Sequence, residues 1–137
     1  MRWKLTPLVL LLMVKIQAQW TLSVELEDIK HETGKIFVAI YDNSLSFRNE
    51  NLVIRDTILP INKFTGRILF NNMPSGEYAV TLFHDVNDNG KLDTNILGIP
   101  KEPYGFSNNP AIRMKAPNFE KCKFTMNSDL LISIIMK

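Results

Sequence analysis

The chain reads as an all-β protein, a seven-stranded sandwich of immunoglobulin-like or transthyretin-like type with one long ordered loop. Three observations predict this. Apolar residues recur at every second position in short runs. Turn-forming residues separate the runs at regular spacing. No stretch after the first residues carries a helical apolar stripe of useful length. The same strands could also close into a small barrel.

Residues 1–18 do not belong to that pattern. Arg2 and Lys4 precede an apolar run from Leu5 to Val14, and Gln17-Ala18-Gln19 follows. This is the layout of a secretory signal peptide, cleaved near Ala18. The run is shorter than the roughly 20 residues a membrane span needs, and Lys15 interrupts it. Residues 19–137 then form one domain, exported to the periplasm or the medium, with no transmembrane span after cleavage. Three of the 16 basic residues leave with the leader, so 13 face 14 acidic ones. That balance removes the basic surface nucleic-acid binding would require.

Seven strands follow. Leu22, Val24 and Leu26 alternate with polar residues in the first. Beyond Gly34, the strand Lys35 to Asp42 places Ile36, Val38 and Ile40 on one face and Phe37, Ala39 and Tyr41 on the other. A strand apolar on both faces belongs in the middle of a sheet. Weaker alternation from Leu52 to Ile61 gives a third strand. Gly66 to Phe70 and Glu77 to His84 flank Asn71-Asn72-Met73-Pro74-Ser75-Gly76, which signals a hairpin. Phe119 to Met126 and Leu130 to Met136 complete the set. Cys122, the single cysteine, shares its phase with Phe124 and Met126 and should point inward as a structural thiol, because Lys121 and Lys123 lie in the opposite phase.

The roughly 33 residues between His84 and Asn118 break the rhythm, and a connection of that length in a compact domain carries function, an ion or disorder. Ile96, Leu97, Ile99, Tyr104 and Phe106 provide apolar anchors, which predicts an ordered loop.

The loop's first half carries the chemistry. Asp85, Asn87, Asn89 and Asp93 put oxygens at positions 1, 3, 5 and 9 of a calcium loop. Gly90 stands at the bend, Lys91 offers its backbone carbonyl at position 7, and Leu92 should pack inward. Ile96 occupies the twelfth position, where a bidentate glutamate is usual, so binding should be weaker or draw a ligand from elsewhere. An Asx-rich turn without metal is the plainer reading of the same residues. The expected ion is structural calcium. His84 should close a core strand, and His31 should lie exposed in a turn. In the second half, Tyr104, Phe106, Asn108 and Asn109 form a candidate ligand surface, or the two aromatic rings simply pin the loop.

Gly76-Glu77-Tyr78-Ala79-Val80, Phe83-His84-Asp85 with Asn87, Asn89-Gly90 and Leu92-Asp93, then Leu97-Gly98-Ile99-Pro100 and Tyr104-Gly105-Phe106-Ser107-Asn108-Asn109 together resemble a secreted bacterial family, domain of unknown function 2141. The resemblance covers essentially the whole chain after the leader. It implies export and a transthyretin-like or carboxypeptidase-regulatory-like sandwich, and it assigns no activity. The leading expectation is a non-enzymatic extracytoplasmic module binding a polysaccharide, a peptide or an envelope protein. The alternatives are a metal-dependent hydrolase using Asp85, Asp93 and His84, and a structural envelope component that associates through a strand edge.

Overall fold

The computed structural model describes residues 14–137. Residues 1–13 of the expected leader lie outside the described residues, and residues 14–18 are exposed and belong to no helix or strand. Among the described residues no helix is long and apolar enough to cross a membrane.

Eight strands build two sheets: β1 (Gln19–Glu27), β2 (Lys35–Tyr41), β3 (Arg55–Pro60), β4 (Arg67–Pro74), β5 (Gly76–Asp85), β6 (Tyr104–Phe106), β7 (Phe124–Met126) and β8 (Leu130–Ile135). The smaller sheet has the order β4-β1-β8, antiparallel between β1 and β4 and parallel between β1 and β8. The larger runs β3-β2-β5-β6, and β7 pairs with the start of β5. Among the described residues the structure is thus predominantly β, with two open sheets and no barrel. Their inner faces share one core. Leu22, Val24, Ile68 and Phe70 from the smaller sheet meet Ile36, Val38, Ile40, Val80 and Leu82 from the larger. Alternation in β1 and β2 sends these side chains to one side, as the period-two pattern requires.

Three expectations need correction. The first concerns β4 and β5, which do not form a hairpin. Ser75 alone separates them, yet β4 pairs with β1 and β5 with β2, so the chain turns a corner between sheets. Pro74 and Gly76 signal a reversal without specifying its partner. The corner is held from outside the turn: Arg55 donates to the Asn71 and Asn72 carbonyls, and Tyr78 donates its hydroxyl to the Pro74 carbonyl at 2.8 Å.

The second concerns Phe119 to Met126. Its first half is a helical turn, α1 (Phe119–Cys122), and only Phe124–Met126 is strand. Asn118 caps that turn by accepting the Lys121 amide at 3.1 Å, directly after Pro117; this is a helix-start signal that outweighs a short alternation. Cys122 nevertheless points inward, against Ala79, Phe106 and Phe119 in a second apolar cluster. Burial pushes its thiol up to about 11. Iodoacetamide at pH 8 should therefore label the native protein at least about a hundredfold more slowly than the urea-unfolded chain. Equal rates would place the thiol at the surface.

The third is the strand count, eight among the described residues rather than seven. The added strand, β6, lies inside the long connection.

Candidate ligand cleft and its loop wall

The second apolar face of β2 is explained by what covers it. Cross-strand register aligns Ile58, Phe37, Phe83 and Tyr104 in one row over β3, β2, β5 and β6, and Asp56, Ala39, Thr81 and Phe106 in the next. These rows lie on the side of the larger sheet that faces away from the shared core, because residues of opposite phase fill that core. Above them arch segments of the long connection, residues 112–116 among them, and they border a cleft of about 820 Å³. The Phe37 and Phe83 rings stack on its floor, centroids 4.7 Å apart and 11° from parallel.

Polar contacts hold the wall in place. Asp85, fully buried at the end of β5, accepts the Asn89 amide at 3.1 Å and the Gly90 amide at 2.7 Å. Glu102, also buried, accepts the Val86 amide on Oε1 and the Asp93 amide on Oε2, each at 3.0 Å. One side chain therefore closes the base of the loop across both its limbs. At the tip, the Asn95 side chain accepts the amides of Leu97 and Ile99, and a bridge joins Thr94 to Pro100. The expected apolar anchoring is corrected here. Tyr104 and Phe106 are inward, but Ile96 is fully exposed, Leu97 is 78 % exposed and Ile99 56 % exposed. Carboxylates and amides order this loop, and Leu97 and Ile99 are left to line the cleft.

Of the predicted ion ligands, Asn87, Asn89 and Asp93 come together. The Asn87 amide donates to Asp93 at 2.7 Å, and the Asn89 amide reaches both Asp93 oxygens at 2.9 and 3.0 Å. Asp85 faces the backbone at the bend instead, Lys91 is exposed, and Leu92 is half-buried on the cleft wall. Donation from Asn89, then Asn87, holds the Asp93 carboxyl below its ordinary value of 3.8. The folded value lies below the unfolded one. The interaction thus stabilises above the unfolded value and is lost as pH falls through the folded one. In an Asn89→Ala variant the Asp93 carboxyl should titrate at higher pH, read from its side-chain carbon shift by NMR. An unmoved midpoint would remove Asn89 from the account.

His84 is fully buried, with Nε2 2.6 Å from the Thr33 carbonyl and no partner on Nδ1. His31 is exposed, as expected, its ring edge-on to His84. Among the described residues, no three His, Cys, Asp or Glu side chains cluster as a metal-holding group.

In the second candidate segment the residues divide. Tyr104 and Phe106 line the cleft while pairing β6 to β5, so they both pin the loop and floor the site. Asn108 and Asn109 have their side chains committed to backbone: Asn108 donates to the Lys121 and Lys123 carbonyls, and Asn109 donates to Ser133 and accepts from Ile135. Both have positive φ, 64° and 47°, a conformation asparagine tolerates better than most residues. Ser107 beside them is buried, accepting the Val80 amide and donating to the Cys122 carbonyl. Glu102 and the β2 outer face were not singled out as site residues from sequence. The signal for the second was present in Phe37, Ala39 and Tyr41.

The sequence model of a family described as an uncharacterized protein conserved in bacteria, DUF2141, matches residues 24–132. No curated protein and no solved structure matches the chain.

Proposed function

The chain belongs to that bacterial family, domain of unknown function 2141, and on that premise we propose that it is an exported, non-enzymatic binding module holding its ligand in the cleft over the larger sheet. The observation that carries this is the apolar row Ile58, Phe37, Phe83 and Tyr104 beneath a loop fixed by buried carboxylates. A cleft of about 820 Å³, floored by an aromatic row and lined also by charged residues such as Arg113, Lys115 and Asp56, has the size of a small-ligand site. Of His84, Asp85 and Asp93, which a hydrolase would use, His84 and Asp85 are buried and bonded to backbone. The two sheets are read as a sandwich of transthyretin-like or immunoglobulin-like type that serves as the scaffold.

A fluorescent apolar probe, anilinonaphthalene sulfonate, tests the cleft. The native protein should bind it at one site, with NMR shifts centred on the amides of Phe37, Ala39 and Phe83. An Ala39→Trp variant, which fills the floor, should lose that signal. A native protein that leaves the probe dark would end this reading.

Calcium is proposed as the ion that organises the loop. Asp85, Asn87, Asn89 and Asp93 would hold it with the Lys91 carbonyl, and half a turn of each asparagine amide exchanges its donors for an oxygen. The convergence of Asn87 and Asn89 on Asp93 supports this. Calorimetric titration with calcium should release or absorb heat, and chelator should lower the melting temperature. No heat and coincident melting curves would exclude the ion.

A further inference from the structure

We infer that the cleft takes an acyl chain bearing an anionic head group, a long-chain carboxylate being the simplest case; this rests on the cleft being the ligand site proposed above. Three features of the lining lead there.

The first is the floor. Phe37 and Phe83 stack on one another, so each covers a face of the other and the cleft meets largely ring edges. A sugar ring needs an open aromatic face to pack on, whereas an alkyl chain packs against edges equally well. The backbone groups of β2 and β5 are spent in the ladder between two neighbours, leaving no row of donors and acceptors for hydroxyls or for a peptide main chain.

The second is the wall. Leu97, Ile99 and Met114 are exposed, as is Ile58 across from them, and all four line the cleft. Clustered exposed aliphatic side chains mark a surface that another apolar body covers.

The third is charge. Ile112-Arg113-Met114-Lys115-Ala116 alternates apolar and cationic residues, and all five line the cleft. Neither Arg113 nor Lys115 is in a salt bridge among the described residues, nor is Arg48, the other lining cation. Glu50 and Asp56 are the lining carboxylates. Three lining cations against two lining carboxylates leave the cleft with a surplus positive charge. An apolar floor with surplus positive charge beside it suits a ligand that is apolar at one end and anionic at the other.

Displacement of anilinonaphthalene sulfonate by dodecanoate, below its micelle concentration, tests the inference. Dodecanoate should displace the probe at one site and shift the amides of Phe37, Phe83 and Leu97. Decanoate, two methylenes shorter, should bind about tenfold more weakly. Dodecyltrimethylammonium, with the opposite head group, should be the weaker ligand of the two twelve-carbon chains. The double variant Arg113→Glu/Lys115→Glu should lower dodecanoate affinity about tenfold and spare the ammonium. Leu97→Asp, at an exposed position where folding is not at risk, should weaken dodecanoate binding as well. Affinity independent of chain length, or equal binding of the two head groups, would overturn the inference. Probe bound but not displaced by dodecanoate would overturn it while leaving the cleft reading standing; a probe that never binds would remove both.

Discussion

Gly34→Ala should destabilise the protein by about 3–5 kcal/mol, lowering its melting temperature by about 10–20 °C. Gly34 has φ +85° and sits where the turn before β2 passes the end of β5. A methyl there would run into the Asp85 carbonyl oxygen and lie 2.9 Å from the Val86 Cα. Both obstacles are backbone, so no side chain can rotate away. The flanking residues make retreat costly too: the Thr33 carbonyl takes the His84 ring, and Lys35 pairs with Asp88 at 2.8 Å. The comparator is Gly66→Ala. Gly66 has φ +95° with nothing near its missing Cβ, so that change should cost only the left-handed backbone preference, about 1 kcal/mol. Thermal melts of the two variants separate close approach from conformational freedom. Equal melting temperatures would show that the turn does not press on Asp85. If it does, Gly34→Ala should also weaken binding in the cleft, because Asp85 ends β5 where the loop that walls the cleft begins.

The strands were legible from sequence because each half-buried face repeats at period two. Leu22, Val24 and Leu26, and Ile36, Val38 and Ile40, are inward in the structure as that rule demands. Strand partners were not, because alternation specifies a face and leaves the neighbour open. The β4–β5 corner shows this. A hint lay in β4, whose buried residues are Ile68, Phe70 and Met73; the change of phase marks the bulge opposite Trp20 and Leu22. The long loop was legible as a break in the strand rhythm, although β6 lies within it, and illegible in its anchoring. Apolar residues in a loop were expected to bury. Instead Glu102 and Asp85 satisfy backbone amides that would otherwise be stranded, and Leu97 and Ile99 stay exposed. Nothing in local spacing links Glu102 to Val86 and Asp93, since that contact exists only once the loop has folded back. The cleft was half visible: Phe37, Ala39 and Tyr41 declared a second apolar face, but a central strand in a two-sided sheet produces the same pattern.

Glu102→Ala should open the loop at its base. The Glu102 oxygens are the side-chain acceptors for the Val86 and Asp93 amides, which sit on opposite limbs. Leaving a buried donor unsatisfied costs about 1–3 kcal/mol, and here two are released together. Local opening hydrates both amides at less cost than keeping them dry, so the loss should appear first as exchange. Deuterium exchange at Val86 and Asp93 should accelerate about a hundredfold. Amides of β1 and β2 should change much less, because the shared core does not include Glu102. Glu102→Gln discriminates the mechanism. Its carbonyl can replace one acceptor, but its NH2 would face the other backbone N–H donor to donor, so protection should recover at one limb at most. Full recovery in the glutamine variant would show that Glu102 acts by filling space. Binding in the cleft should follow the exchange rates through the series, because the wall that carries Leu97 and Ile99 is only as fixed as the base beneath it.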